Sequence, residues 1–162
     1  KALFAHKIEL IKKLMPDAFI GVDVMVGCRG EKPELFEECR DFLQSLDVTQ
    51  LHVFPYSERP GTMALKIPYI VDEAEKKRRS KQLLDMSEEK RIAFYQKYIG
   101  TTADVLFEKA AKGKAMHGFT DNYVRVELSA TKAREEYDNQ IIKVKLLDFN
   151  HDKSALKCEI IG

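Results

Sequence analysis

Apolar residues fall at Leu3, Phe4, Ile8, Ile11, Leu14 and Met15. That spacing of three and four predicts a helix over residues 1–15, stopped by Pro16-Asp17. The next run, Phe19-Ile20-Gly21-Val22-Asp23-Val24-Met25-Val26, is almost continuously apolar and suits a strand buried on both faces of a parallel sheet. After the loop Gly27-Cys28-Arg29-Gly30-Glu31, helical spacing returns at Leu35, Phe36, Cys39, Phe42, Leu43 and Leu46, with Pro33 in the first turn. Leu51-His52-Val53-Phe54 is a second short buried strand. The order helix, strand, helix, strand implies a parallel βαβ unit. Two strands alone make no stable parallel sheet, so this part is expected to pair with a missing N-terminal portion or with elements the pattern does not reveal.

Tyr56-Ser57-Glu58-Arg59-Pro60-Gly61-Thr62 is turn chemistry, and Pro68 keeps residues 63–70 extended. Residues 71–99 then read as one long helix with a possible break at Ser87, and Gly100 stands where a helix-ending glycine belongs. Beyond it the period becomes alternating. Residues 103–108, 114–117, 122–128, 140–147 and 155–161 are candidate strands. Five short antiparallel strands in so few residues predict a small OB-like β-barrel. The fold class is thus α/β followed by all-β. Residues 1–70 form an incomplete α/β portion, 71–100 a linking helix, and 101–162 the barrel.

Composition narrows the partners. A mean hydropathy of −0.34 and a charged fraction of 33% argue against a membrane protein, and no run reaches the roughly 18–20 apolar residues of a spanning helix. The formal net charge is only +1, so nucleic-acid binding must come from local patches and stacking rings. Residues 71–100 carry eight basic and six acidic side chains, whereas 101–162 carry ten of each. Cys28, Cys39 and Cys158 match no zinc or iron–sulfur spacing and read as reduced, buried thiols of a cytoplasmic protein. The four histidines share no metal spacing, and no nucleophile triad or P-loop is present. With no signal peptide and no initiator Met, the chain reads as a piece of something longer.

Four segments can carry chemistry. Gly27–Glu31 leaves a parallel strand at its C-terminal end, where α/β folds bind ligands. Its glycines let backbone N–H groups approach a ligand, and Glu31 can accept from a ribose or amine; the plain alternative is a βα turn. Tyr56–Thr62 leaves the next strand at the same edge with an aromatic ring, two hydroxyls and a guanidinium; its alternative is a turn with Arg59 in solvent. The basic run Lys76–Lys81 can meet phosphates or be a solvated helix face. In the segment from Met116 to Val126, exposed aromatics can stack on bases while Arg125 meets the backbone. Phe119 is expected in the barrel core; Tyr123 is open to either place.

The spaced set Asp23-Val24-Met25-Val26-Gly27-x-x-Gly30-Glu31, Tyr56-Ser57-x-Arg59-Pro60-Gly61-Thr62, Arg79 with Leu83-Leu84, and Gly118-x-Thr120-x-Asn122-Tyr123 resembles the radical-SAM methylthiotransferases over essentially the whole chain. The resemblance implies the last part of a radical-SAM barrel, a linking helix and a C-terminal TRAM domain that helps hold substrate RNA. It implies S-adenosylmethionine and two 4Fe-4S clusters in the parent enzyme. The clusters would not be bound here, since the Cys-x3-Cys-x2-Cys triad and the N-terminal domain's cysteines are absent. No catalytic residue and no metal ligand is expected in this fragment. Gly27, Gly30, Glu31, Ser57, Arg59 and Thr62 would line the cofactor cavity, and Arg79, Asn122, Tyr123 and Arg125 would face RNA. The family's usual Gly-Phe-Pro-Gly-Glu stands here as Gly27-Cys28-Arg29-Gly30-Glu31. Arg59-Pro60-Gly61-Thr62 speaks against the ribosomal-protein branch, which usually has Glu-Gly-Thr. Asn122-Tyr123 is similar to the threonylcarbamoyladenosine branch, which adds a methylthio group at C2 of the modified adenosine beside the anticodon; the isopentenyladenosine branch usually has Asn-Arg. The implied partners are tRNA, through its anticodon stem-loop, and the missing N-terminal portion of the same polypeptide. A stand-alone RNA-binding module, or a protein adaptor using the long helix, is the alternative.

Overall fold

In the computed structural model, which describes residues 1–161, the first helical stripe becomes α1 (Ala2–Leu14) and the apolar run becomes β1 (Gly21–Val26). Helix α2 (Pro33–Ser45) crosses back to β2 (Gln50–Pro55), which lies parallel to β1 with Val22 opposite Leu51 and Val24 opposite Val53. A short 3₁₀ turn at Met63–Lys66 stands where an extended segment was expected. Helix α3 runs without a break over Glu73–Gln96. The chain divides into two units, Lys1–Arg91 and a second from Ile92 onward.

The first unit packs one face of the β1–β2 pair. Ile8, Val24, Val26, Phe36, Leu43, Leu46, Leu51, Leu83 and Met86 form its core. The other face is open, with Met25 60% and Phe54 52% exposed beside Asp23 and His52. Among the described residues the two strands are thus covered on one face only, where burial on both faces was expected. Side chains alternate along a strand, and no described layer covers the odd-numbered positions of β1.

Ser87 does not break α3. Its hydroxyl accepts the Leu51 N–H at 2.8 Å and donates to the Leu51 carbonyl at 3.1 Å. A helix side chain thus satisfies two backbone groups of β2 that no neighbouring strand reaches. Three residues on, Lys90 Nζ donates to the carbonyls of Gln44 and Leu46 at the end of α2, neutralising carbonyls a helix C-terminus leaves unpaired.

In the second unit, β3 (Thr102–Phe107), β4 (Met116–Thr120), β5 (Arg125–Leu128), β6 (Ile141–Phe149) and β7 (Leu156–Ile160) close a barrel in the order β3-β4-β5-β7-β6. All pairs are antiparallel except β5–β7, which is parallel. This corrects the all-antiparallel expectation, and the reason is topological. Strand direction cannot alternate all the way around a ring with an odd number of members. Val105, Phe107, Val124, Val126, Leu128, Val144, Leu146 and Leu156 fill the interior, each at most 1% exposed. Closure removes the free edges that an open sheet would leave. Gly100 (φ 83) ends the helical turn after α3 and donates its N–H to Leu146 O at 2.8 Å. No described helix is long and apolar enough to cross a membrane.

Candidate functional site

The loop after β1 folds around a carboxylate. Gly27 and Gly30 hold left-handed backbone (φ 79 and 85), which only glycine adopts at little cost. Glu31 Oε2 accepts the N–H groups of Gly27 and Cys28. The Gly27 position is tight as well, because an added Cβ would run into the aliphatic stem of Lys76. The Glu31 carboxylate, expected to accept from a ligand, accepts here from its own turn through Oε2, with Oε1 3.7 Å from Arg79 Nη1. Burial first, and Glu31 second, push the Cys28 thiol above its usual range, so it stays protonated near neutrality.

Arg79 is also corrected. Expected to face RNA, it is fully buried in the first unit. Its Nε donates to Glu75 Oε1 at 2.7 Å and its Nη1 to the Glu31 carbonyl at 2.8 Å. The guanidinium lies 5.0 Å from the Phe36 ring centroid, a cation–π distance. Nη2 is buried without a hydrogen-bond partner. The helix residue that sequence reasoning assigned to phosphate therefore fastens the Glu31 loop to α3.

A second arginine, Arg29, ties the two loops together. Its Nε donates to Glu58 at 2.6 Å and its Nη1 to the carbonyls of Leu65 and Ile67. The hydrogen bond from Arg29 holds the Glu58 carboxyl below its usual range. Between the loops lies a cleft of about 700 Å³ lined by Arg29, Tyr56, Ser57, Glu58, Ile70 and Lys76, among others. Lys76 is 6% exposed, pairs with Glu73 at 2.7 Å, and sits 5.9 Å from the Tyr56 ring centroid. Of the residues expected to line a cavity, Ser57 does so. Gly27 lies beneath Lys76, and Gly30 donates to Tyr69 O. Arg59 and Thr62 belong instead to an exposed turn in which the Thr62 hydroxyl donates to Arg59 O at 2.9 Å. Arg29 and Glu58 were not singled out, and charge inside the two loops was the only available signal for them; Lys76 was singled out with the basic run Lys76–Lys81, as a phosphate contact and not as a wall of this cleft.

On the barrel, the turn from β4 to β5 is built to throw one ring outward. The Thr120 side chain, 5% exposed, accepts the Val124 N–H at 2.9 Å and donates to Asn122 Oδ1 at 2.7 Å. The Tyr123 N–H bonds Thr120 O, and Tyr95 Oη donates to Tyr123 O at 3.3 Å. Tyr123 is thereby held at φ 63, an uncommon conformation for a bulky residue, with the side chain 64% exposed. Strained, over-determined positions of this kind cluster at functional sites. Its ring stands 5.8 Å from that of Phe119. Phe119 is not in the core as expected: inward positions of β4 are Met116, Gly118 and Thr120, so Phe119 points out, half-buried and opposite Arg125. The same register places Leu106 beside Phe119 and Ile141 beside Leu106. Asn122, Tyr123 and Arg125 thus meet at one end of an apolar row that the sequence reading missed.

No protein-family model matches the chain. Among curated proteins it is similar to the threonylcarbamoyladenosine tRNA methylthiotransferase MtaB of Bacillus subtilis, 34% identical over 148 residues, which is 89% of this chain and 32% of that protein. It is similar to the tRNA-2-methylthio-N(6)-dimethylallyladenosine synthase of Finegoldia magna, 32% identical over 155 residues, 93% of this chain and 32% of that one. The corresponding synthase of Bartonella quintana is 37% identical over 109 residues, 67% of this chain and 24% of the relative. The chain spans about a third of the length of the first two relatives.

Proposed function

We propose, since the chain belongs to the MiaB/MtaB-like family of tRNA methylthiotransferases, that it is the C-terminal part of an enzyme that adds a methylthio group at C2 of N6-threonylcarbamoyladenosine next to the anticodon. In this reading residues 1–70 complete a radical-SAM barrel, residues 71–100 link, and residues from 101 form a TRAM-like module that holds the anticodon stem-loop in the cytoplasm. The observation that carries it is Tyr123. The ring is exposed while its backbone is locked in an unfavourable region, and such a ring, set against Phe119 with Arg125 opposite in register, is a stacking platform for a base. The open face with Met25 and Phe54 supports a barrel interior completed by the rest of the polypeptide. Asn122-Tyr123 supports the threonylcarbamoyladenosine branch. Relatives of the dimethylallyladenosine type match at similar identity, which supports that branch as the second reading.

The cleft between the loops is large enough for a nucleoside-sized ligand. Tyr56 offers a ring face and Ser57 a hydroxyl, and Arg29 and Lys76, paired with Glu58 and Glu73, stand with Asp72 in a lining of both charges that fits the zwitterionic tail and sulfonium of S-adenosylmethionine. Bound there, S-adenosylmethionine supplies the group-transfer chemistry, and Glu31 and Arg79 keep the loop in shape around it. Among the described residues no group of His, Cys, Asp or Glu is arranged to hold a metal. Iron–sulfur clusters do not fit these residues and would be ligated elsewhere in the polypeptide.

The test is mass spectrometry of nucleosides from digested tRNA of cells with and without the parent gene. Loss of 2-methylthio-N6-threonylcarbamoyladenosine alone is expected. Loss of the isopentenyl counterpart moves the protein to the neighbouring branch, and no change in either sinks the enzyme reading in favour of a binding module. A point test addresses the barrel: Tyr123→Ala is expected to weaken tRNA binding by about 1–3 kcal/mol with little change in melting temperature, because the ring is mostly in water. Unchanged affinity with a lower melting temperature would make Tyr123 structural.

A further inference from the structure

The barrel carries ten basic and ten acidic side chains, and two of its loops bring four of the basic ones to one cleft. At the end of β4 remote from Tyr123, the loops 108–115 and 129–140 enclose a cleft of about 510 Å³. Lys109, Lys112, Lys114 and Arg134 line it, with Glu135 and Asp138 as the only acids among its lining residues. All four cations are exposed, and none takes part in an ion pair among the described residues. In the first unit, by contrast, Arg29, Arg78, Arg79 and Lys81 each contact a carboxylate. Ala110, Ala111, Gly113, Ala130 and Ala133 make up much of the remaining wall. Their small side chains leave room for a bulky anion to come close to the backbone.

We infer that this cleft binds phosphates of an RNA backbone and is a second anchor for the strand whose base stacks on Tyr123. The inference rests on the reading of the barrel as RNA-binding and extends it to a separate set of residues. Charges act over about 10 Å at 0.1 M salt, so four local cations attract phosphate whatever the net charge of the domain. Lysine ammonium groups and an arginine fork are the usual phosphate ligands. Glu135 and Asp138 limit the cleft to a small number of phosphates by repelling further ones. Strand β4 is five residues long, and at about 3.3 Å per residue it separates the cleft from Tyr123 by roughly 15 Å. That span suits one continuous single strand laid along the outward face past His117 and Phe119.

The experiment is fluorescence anisotropy of an unmodified anticodon stem-loop RNA with the whole chain, across a potassium chloride series. Five proteins are compared: wild type; Lys112→Gln/Lys114→Gln/Arg134→Gln; Lys112→Arg/Lys114→Arg; a charge-matched control, Lys7→Gln/Lys13→Gln/Lys32→Gln; and Tyr123→Ala. The cleft variant is expected to lose about tenfold or more in affinity at 0.1 M salt. Its slope of log affinity against log salt should flatten by about 2, from roughly 0.7 per lost contact on a single strand. The control should keep both. Lys112→Arg/Lys114→Arg should also keep both, which separates lost charge from lost fold. If the cleft variant binds like wild type while Tyr123→Ala is impaired, the second anchor is wrong and the stacking site stands. If the control falls as far as the cleft variant, the attraction is diffuse and the cleft is no site. If wild type itself does not bind, or neither variant changes binding, the RNA reading of the barrel fails with it.

Discussion

Gly118→Ala is expected to cost the barrel about 3 kcal/mol or more, the largest loss from adding a single methyl group. A Cβ at this position would lie 2.5 Å from Leu106 O and 2.7 Å from Val105 Cγ1. The first of these is backbone, so no rotamer change relieves it. Nor can the strand step aside. Gly118 sits in β4 opposite Phe107 on one side and Val126 on the other, and β3 is itself held by β6. Overpacking ordinarily costs 1–3 kcal/mol, and more when backbone must move. In a domain of this size each kcal/mol is worth roughly 4–8 °C, so the second unit should melt at least roughly 10 °C lower. Gly113→Ala is the internal comparison. Gly113 has φ 76 and nothing within 4 Å of a new Cβ, so it pays only for the backbone conformation, about 1 kcal/mol. Two alanine variants with equal melting temperatures would refute the steric account of Gly118.

The same barrel shows what periodicity reveals and what it hides. The change from helical to alternating spacing at Gly100 was legible because glycine both ends a helix and marks the turn into β3. The parallel β5–β7 pair was not, since strand direction leaves no mark on alternation. Phe119 was assigned to the core on hydrophobicity alone. The inward positions Met116, Gly118 and Thr120 had already set the phase that puts it outside. Leu106 carried a similar signal: three consecutive apolar residues, Val105-Leu106-Phe107, cannot all face inward on one strand. In the first unit the glycine pair and Glu31 were read as a ligand loop. The N–H groups that occupy the Glu31 carboxylate are local, on Gly27 and Cys28, but the Arg79 guanidinium that bonds its carbonyl comes from α3, dozens of residues away in sequence. Ser87 looked like a helix breaker because serine ordinarily competes for local backbone bonds. Its partner is Leu51, on a strand that no local rule connects to it.

Arg79→Ala is expected to destabilise the first unit by about 3 kcal/mol, from lost charge-assisted hydrogen bonds and the void left by a large buried side chain, while leaving RNA affinity of the folded protein unchanged. The loss has three parts. The Glu31 carbonyl is left without its donor at 2.8 Å, the Phe36 ring loses the group 5.0 Å from its centroid, and a fully buried side chain gives way to a void. Arg79→Lys should recover only part of it, because an ammonium cannot bond Glu75 and the Glu31 carbonyl with one planar fork. Acid supplies an independent check. Hydrogen bonds from Arg78 and then Arg79 bring the Glu75 carboxyl down from 4.5 to about 2. A carboxylate depressed in the folded state contributes stability above its unfolded pKa and loses it as pH falls through the folded one. The wild-type contribution therefore fades between about pH 4.5 and pH 2. In Arg79→Ala the fading should begin from a smaller contribution, because only Arg78 still donates to Glu75. Urea titrations at pH 7 and pH 3 measure both effects, and anisotropy with the stem-loop RNA measures the third. A variant of normal stability with weakened RNA binding would return Arg79 to the phosphate-facing role that its place in the basic run Lys76–Lys81 first suggested.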